Sequence, residues 1–278
     1  MIAYLDTTVF DHIYSKTGCT GADIAALRKA IYGREVSIPL GIHVLDEILL
    51  NQRASPQDLV ARIKLTLSIA TLRRLVKPCD QLLSDDIRAY AARGEAERPF
   101  ADAGVLNVLS EGISTLIETD GEEIDEDMRE LLEQIRRQKE RFISGTRSSL
   151  EESPSLTGAS LAPPAFEQFF QSQIPAGAED FASRAASLEQ CTERGLDGLS
   201  QLKSLRVLLG FKLSYIYGRA FENLAPLRSD SAFHHVVAAA AVADTFVCDD
   251  KELRTLLSRV PMEGFEVTDL PGFLGRVR

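Results

Sequence analysis

Carboxylates that could share a metal ion occur near both ends of this sequence. Asp6 closes the apolar run that opens the chain, Glu47 lies within "GIHVLDEIL", and Asp249 and Asp250 follow "TFVC". Asp230 precedes an alanine-rich segment. Hard divalent cations such as Mg²⁺ or Mn²⁺ are bound by a few carboxylates together with water and phosphate oxygens. Brought together, these acids predict phosphodiester hydrolysis by a metal-activated water.

Each acid also has a plainer interpretation. Asp6 could cap a following helix, because Asp is favoured at helix N-termini. Glu47 follows Asp46, which indicates a solvated polar helix face. Asp249 and Asp250 could cap the helix "KELRTLL". Their joint position at strand ends is what favours a shared site.

Two histidines lie close to the C-terminal acids. His234 and His235 open an alanine-rich helix, and one of them stands four residues after Asp230. They could bind phosphate or relay a proton, or be a polar helix start with a ring bonded to the backbone. His43, just before Glu47, has the same two interpretations.

The first eighty residues predict alternating strands and helices. Strands are expected at about 2–6, 35–40 and 72–78, the last ended by Pro78. Helices are expected over 21–33, closed by Gly33, and over "GIHVLDEILLNQ". This order predicts a central parallel sheet flanked by helices.

The middle of the chain has a different character. From about residue 80 to 220 the patterns are helical, with no convincing strand, and 144–166 is rich in Ser, Pro and Gly. We expect a helical insertion over 81–220 with a mobile linker near 144–166.

The last segment, 221–278, returns to α/β patterns. It predicts the helix "SDSAFHHVVAAAAVA", the strand "DTFVC", the helix "KELRTLLSRV" and the strand "GFEVTDL". We therefore predict that 1–80 and 221–278 form one α/β domain, a Rossmann-type three-layer sandwich. Because ligands of open parallel sheets bind beyond the carboxyl ends of the strands, the acids would meet there.

The composition of the chain argues against several classes of protein. The 278 residues are 45% hydrophobic, and 41 acidic against 31 basic residues give a net charge of −10, which argues against non-specific attraction to nucleic acid. The four cysteines form no CxxC pair, so neither a zinc cage nor a disulfide framework is indicated. With no export signal and no run of eighteen apolar residues, we expect a cytoplasmic protein without membrane partners.

One helical stretch is locally basic. Tyr215 and Tyr217 lie within it, so it could contact single-stranded RNA through phosphate pairing and base stacking; a solvated helix face explains the same charges. The run "RRQKER", 136–141, indicates a salt-bridged surface helix. The basic residues proposed to bind RNA are Lys203, Arg206, Lys212, Arg219 and Arg228.

Three blocks of the sequence resemble the signature blocks of PIN-domain ribonucleases: "YLDTTVFDHI", "IPLGIHVLDEIL" and "HHVVAAAAVADTFVCDDKEL". The resemblance covers about residues 1–80 and 228–275. It implies a PIN-like fold with Asp6, Glu47 and Asp250 as catalytic, metal-binding acids for Mg²⁺ or Mn²⁺, and Asp230 as a fourth. Thr8 would orient Asp6. Asp249, His234 and His235 would support the site.

The sequence departs from the family pattern at two places. Cys248 stands where the family usually has Thr, and its weaker hydrogen bonding would hold Asp250 less firmly. Ala232 lies near the position where an Asp is expected, and Asp230 is two residues early. If Asp230 does not reach the site, three acids remain, and we expect the site to be weakened or inactive.

The leading hypothesis is a metal-dependent endoribonuclease. The alternative is a PIN-like scaffold that has lost catalysis and binds protein or RNA. A Mg²⁺-dependent phosphohydrolase is a third option, but such enzymes use an Asp-x-Asp pair and the residue two after Asp6 is Thr8. Many small PIN-like proteins are toxins, so the resemblance also implies RNA and an antitoxin-like protein as partners.

Overall fold

The fold is mixed α/β and mostly helical. The computed structural model describes residues 1–51, 54–151, 163–226 and 233–277. Its elements are β1 Ala3–Leu5, α1 Thr7–Ser15, α2 Gly21–Tyr32, β2 Pro39–Gly41, α3 Ile42–Leu49, α4 Pro56–Ile69, β3 Thr71–Val76, α5 Cys79–Arg93, α6 Ala103–Glu118, α7 Glu126–Glu151, α8 Phe166–Arg184, α9 Leu188–Arg194, α10 Leu196–Leu199, α11 Lys203–Phe221, α12 Phe233–Val242, β4 Thr245–Val247, α13 Lys251–Leu257, β5 Glu266–Thr268 and α14 Leu270–Val277.

The two ends of the chain meet in a three-stranded parallel sheet of order β1-β4-β5. Tyr4 pairs with Phe246, and Phe246 pairs with Val267 on the other side. The amide of Asp6 donates to the carbonyl of Val247 at 3.2 Å, which extends the pairing just beyond β1. The residues that follow β1 and β4 therefore leave the sheet at the same edge.

A second, two-stranded parallel sheet consists of β2 and β3. An isolated parallel bridge between Ile2 and Ser37 places the segment before β2 beside β1. The strand predicted over 35–40 is shorter and later, since regular pairing starts only at Pro39. Gly41 needs to be Gly, because a Cβ there would lie 1.9 Å from the Tyr4 hydroxyl oxygen.

The two faces of β1 belong to different hydrophobic clusters. Ala3 and Leu5 pack with α1, α2, α3 and α4, whereas Tyr4 packs with α5, α8, α11 and α12. This alternation follows the two-residue period of a strand. In β4, Phe246 belongs to the same cluster as Tyr4, and Val247 belongs to the same cluster as Leu5. The short sheet is therefore buried on both faces.

The described part of the middle region is helical, from α5 to α11. The prediction of a linker over 144–166 is wrong for 144–151, because α7 continues to Glu151, and Phe166 already belongs to α8. Residues 152–162 lie outside the described residues. Among the described helices, none has the combined length and apolar character that crossing a membrane requires.

Candidate functional site

Asp6 lies between β1 and α1 and is 1% exposed. Its Oδ1 accepts from the amide of Val9 at 2.8 Å, so Asp6 caps α1. Its buried Oδ2 has no hydrogen-bond partner within the described chain. Burial raises the pKa of Asp6, although the nearby His235 ring acts in the opposite direction. One carboxylate oxygen is thus used by the helix cap, and a hydrogen bond from the Cys248 thiol to the carboxylate also acts to lower the pKa of Asp6.

Glu47, on α3, is the centre of a polar cluster. Its Oε1 accepts from Lys139 Nζ and from His234 Nε2, each at 2.9 Å. Its Oε2 accepts from the Thr7 hydroxyl and lies 3.3 Å from His235 Nε2. Burial alone would raise the pKa of Glu47, but the His235 ring and the hydrogen bonds from both histidines hold it well below its usual value. Glu47 is therefore ionised.

His234 and His235 enter this cluster from the first turn of α12. Both are buried, and their ring centroids lie 4.3 Å apart. His235 Nδ1 lies 3.1 Å from the Tyr4 hydroxyl. Burial lowers the pKa of His234 well below its ordinary value, so this ring is neutral. Asp230, expected on this side, lies outside the described residues.

Glu47, His234 and His235 form a candidate metal-binding group among the described residues. One potential ligand atom from each lies within 4.8 Å of the other two. Asp6 and Asp250 do not belong to this group, and Asp230 lies outside the described residues. The sequence predicts a supporting role for His234 and His235 and does not predict them as metal ligands.

Asp249 and Asp250 follow β4 but already have structural partners. Asp250 caps α13 through Oδ1, which accepts from the Leu253 amide at 3.0 Å. Asp249 Oδ2 lies 2.5 Å from His12 Nδ1, and its Oδ1 accepts from the Leu270 amide. The plainer interpretation of the pair as helix-terminal residues is thus correct for Asp250.

A cleft of about 610 Å³ lies beside these acids. Thr8 lines it together with His12, Asp249, Asp250 and Arg259. The hydroxyl that bonds a site carboxylate, however, belongs to the preceding residue, Thr7. The prediction that Thr8 orients Asp6 is not supported by a hydrogen bond between these two described residues; Oδ1 of Asp6 is held instead by the Val9 amide.

Cys248 is buried at the end of β4. Burial and the neighbouring Asp6 carboxylate raise the pKa of its thiol, which is therefore protonated. The predicted loosening of Asp250 by this residue does not follow, because Asp250 is fixed by its own helix cap.

Lys139 reaches the cluster from α7, in the predicted helical insertion. It is 7% exposed, and its Nζ lies 2.6 Å from Oδ1 of Asp46. Asp46 is fully buried, so its interpretation as a marker of a solvated face is wrong. The interpretation of 136–141 as a surface helix is wrong at Lys139 too. A sequence signal existed: Lys139 continues the i, i+4, i+7 series of buried residues on α7, Met128, Leu132 and Ile135.

The basic helix α11 does not present the predicted stacking surface. Tyr215 and Tyr217 are buried in the core. Lys212 donates to the Ser149 hydroxyl at 3.0 Å, and Arg206 donates to the Pro261 carbonyl. Lys203 and Arg219 are exposed, and Arg228 lies outside the described residues.

Comparisons with known proteins assign no family. The chain matches no protein-family model, and no curated protein or solved structure shows significant similarity to it. The resemblance to PIN-domain ribonucleases therefore remains a prediction from the three sequence blocks.

Proposed function

We propose that this protein is a metal-dependent endoribonuclease that hydrolyses RNA phosphodiester bonds at the carboxyl edge of a central parallel sheet. One observation carries the proposal. Glu47, His234 and His235 each offer a possible ligand atom, and these three atoms lie within 4.8 Å of one another. Further support comes from Asp6, whose Oδ2 is buried without a hydrogen-bond partner in the described chain.

The donor atoms of the cluster fit a divalent cation. A carboxylate and imidazoles are ordinary ligands of Mn²⁺ and related ions. The fit to Mg²⁺ is poorer, because that ion prefers oxygen ligands. When bound, such a cation lowers the pKa of a water molecule and stabilises negative charge on a phosphate. Glu47, His234 and His235 would hold it.

The protein's own residues position this site. Thr7 and Lys139 fix the two oxygens of Glu47, and Tyr4 fixes the ring of His235. The described cleft lined by Thr8 and Asp250 lies where the chain leaves β1 and β4, and its lining does not include Glu47, His234 or His235. Acidic residues in this cleft would repel a phosphate backbone unless a cation lies between them.

The test replaces Asp6 by Asn and measures cleavage of a mixed RNA pool with Mn²⁺. Asn also caps helices well, so D6N should keep α1 and the fold. The matched control is D102N, because Asp102 caps α6 through the Val105 amide and is exposed. We expect D6N to lose at least a hundredfold in cleavage rate and D102N to retain it. Equal cleavage by D6N and the unchanged protein would refute the proposal.

A second candidate function is a scaffold that binds RNA or a protein without cleaving. It is favoured by the Lys139 ammonium group, which already lies 2.9 Å from Oε1 of Glu47, where a bound cation would compete with it. Calorimetry separates the two functions. A scaffold should show no Mn²⁺ binding that is lost in E47Q, whereas the nuclease should show one such site.

A further inference from the structure

We propose that Glu47, His234 and His235 select an imidazole-binding transition ion, of which Zn²⁺ is the probe, over Mg²⁺. The inference rests on the proposed function, because it names the ion that the same site takes. It departs from the sequence prediction of an all-carboxylate site for Mg²⁺ or Mn²⁺.

The donor set is the first reason. Two of the three candidate ligand atoms are imidazole nitrogens, since His234 and His235 both direct Nε2 at the Glu47 carboxylate. Imidazole suits zinc and the later first-row ions, and His₂Glu is an established zinc ligand set, whereas Mg²⁺ is bound through oxygen. A site with one carboxylate and two nitrogens therefore disfavours Mg²⁺.

Tyr4 provides the outer support that a metal-binding imidazole requires. Ligating histidines usually hydrogen-bond through the other ring nitrogen, which fixes ring orientation. The Tyr4 hydroxyl lies 3.1 Å from His235 Nδ1, on the side of the ring away from Glu47. Because a hydroxyl both donates and accepts, it can hold the ring whether Nδ1 or Nε2 carries the proton.

The third imidazole nearby has other partners. His43 Nδ1 lies 3.2 Å from Asp46 Oδ2, and His43 Nε2 accepts from the Cys79 amide at 3.1 Å. Both of its nitrogens are therefore used by the fold. This leaves His234 and His235 as the pair whose Nε2 atoms face one carboxylate.

The experiment titrates the metal-free 278-residue chain with Zn²⁺, Mn²⁺ and Mg²⁺ in separate calorimetric runs. We expect one Zn²⁺ per chain, bound at least tenfold more tightly than Mg²⁺. H234Q and H235Q should each weaken Zn²⁺ binding at least tenfold. H12Q is the matched control and should bind Zn²⁺ unchanged, because His12 pairs with Asp249 outside the group.

A second measurement needs no variant and so remains informative if a buried substitution unfolds the protein. With ¹⁵N-labelled histidine, Zn²⁺ should shift the Nε2 signals of two of the four imidazoles. The inference would be overturned if Zn²⁺ shifted the Nε2 signal of neither His234 nor His235, or if the protein bound Mg²⁺ and Zn²⁺ with equal affinity.

The outcomes also separate this inference from the proposed function. Histidine-dependent Zn²⁺ binding without RNA cleavage under any of the three metals would uphold the metal site and refute the nuclease. Asp6-dependent cleavage with Mg²⁺, together with Zn²⁺ binding that H234Q and H235Q leave intact, would support the nuclease and refute the histidine metal site.

Discussion

At the scale of single residues, Asp6 shows why sequence reasoning left two interpretations open. The helix-cap interpretation is correct, because Oδ1 accepts from the Val9 amide. The site interpretation is compatible with it, since the cap uses one oxygen and Oδ2 stays unpartnered within the described residues. Residue type and spacing do not reveal which hydrogen-bond partner each of the two oxygens of a carboxylate has.

Tyr4→Phe isolates the hydroxyl that holds His235. The substitution deletes one buried hydrogen bond and should lower the free energy of unfolding by about 1 kcal/mol. It should also weaken Zn²⁺ or Mn²⁺ binding about tenfold, as loss of outer-sphere support typically does. Urea denaturation and calorimetry measure the two effects.

Tyr217→Phe is the control for this change. Its hydroxyl donates to the Pro164 carbonyl at 2.8 Å, in the helical region. We expect a similar loss of stability with metal affinity unchanged. If Tyr4→Phe also left metal affinity unchanged, Tyr4 would have no part in holding the site.

At the scale of elements, α7 is the one that changes the interpretation of the middle region. Lys139, 93 positions after Asp46, makes the ion pair that a fully buried carboxylate requires. Arg136, on the same helix, donates to the carbonyls of Asp46 and Leu50 at 3.2 Å. The helical region therefore completes the surroundings of Glu47.

Lys139→Met tests this role of α7. The change leaves Asp46 buried without its ammonium partner, and we expect a loss of about 3–5 kcal/mol in the free energy of unfolding. Arg137→Met is the control on the same helix, where an exposed side chain should change stability by at most about 0.5 kcal/mol. Equal effects of the two substitutions, measured in urea, would contradict the ion-pair role.

Some elements follow directly from the sequence, and others do not. The β-branched run before Cys248 and the alanine-rich segment after His235 predict β4 and α12, because each has one dominant local preference. The helix α1 followed only from the interpretation of Asp6 as a cap and was given no bounds, since "TTVFDHI" is rich in strand-forming residues and becomes helical behind the Asp6 cap. The burial of Asp46 depends on α7, which is distant in sequence, and therefore cannot be predicted from the residues around Asp46.

At the scale of the whole molecule, the short sheet joins two hydrophobic clusters. Leu5 belongs to the cluster with α1 to α4, and Phe246 to the cluster with the later helices. Because β1 and β4 are paired residue by residue, loss of either cluster removes packing from the same backbone. The clusters should therefore unfold together.

Leu5→Ala and Phe246→Ala test this coupling. Each should lower the free energy of unfolding by about 2–5 kcal/mol, because both side chains are buried. Both variants should still unfold in a single transition, with circular dichroism and tyrosine fluorescence coincident. Two separate transitions in either variant would show that the clusters are independent.

The pairing of β1 with β4 also affects how the chain is made. The amide of Ile2 donates to the carboxylate of Asp244, 242 positions later. At a synthesis rate of about 5–20 residues per second, a ribosome needs roughly 12 to 48 seconds between the two. During that interval the nascent N-terminal segment has an unpaired strand edge, and Glu47 lacks its histidines, so the candidate site is assembled only after His234 and His235 have been synthesised.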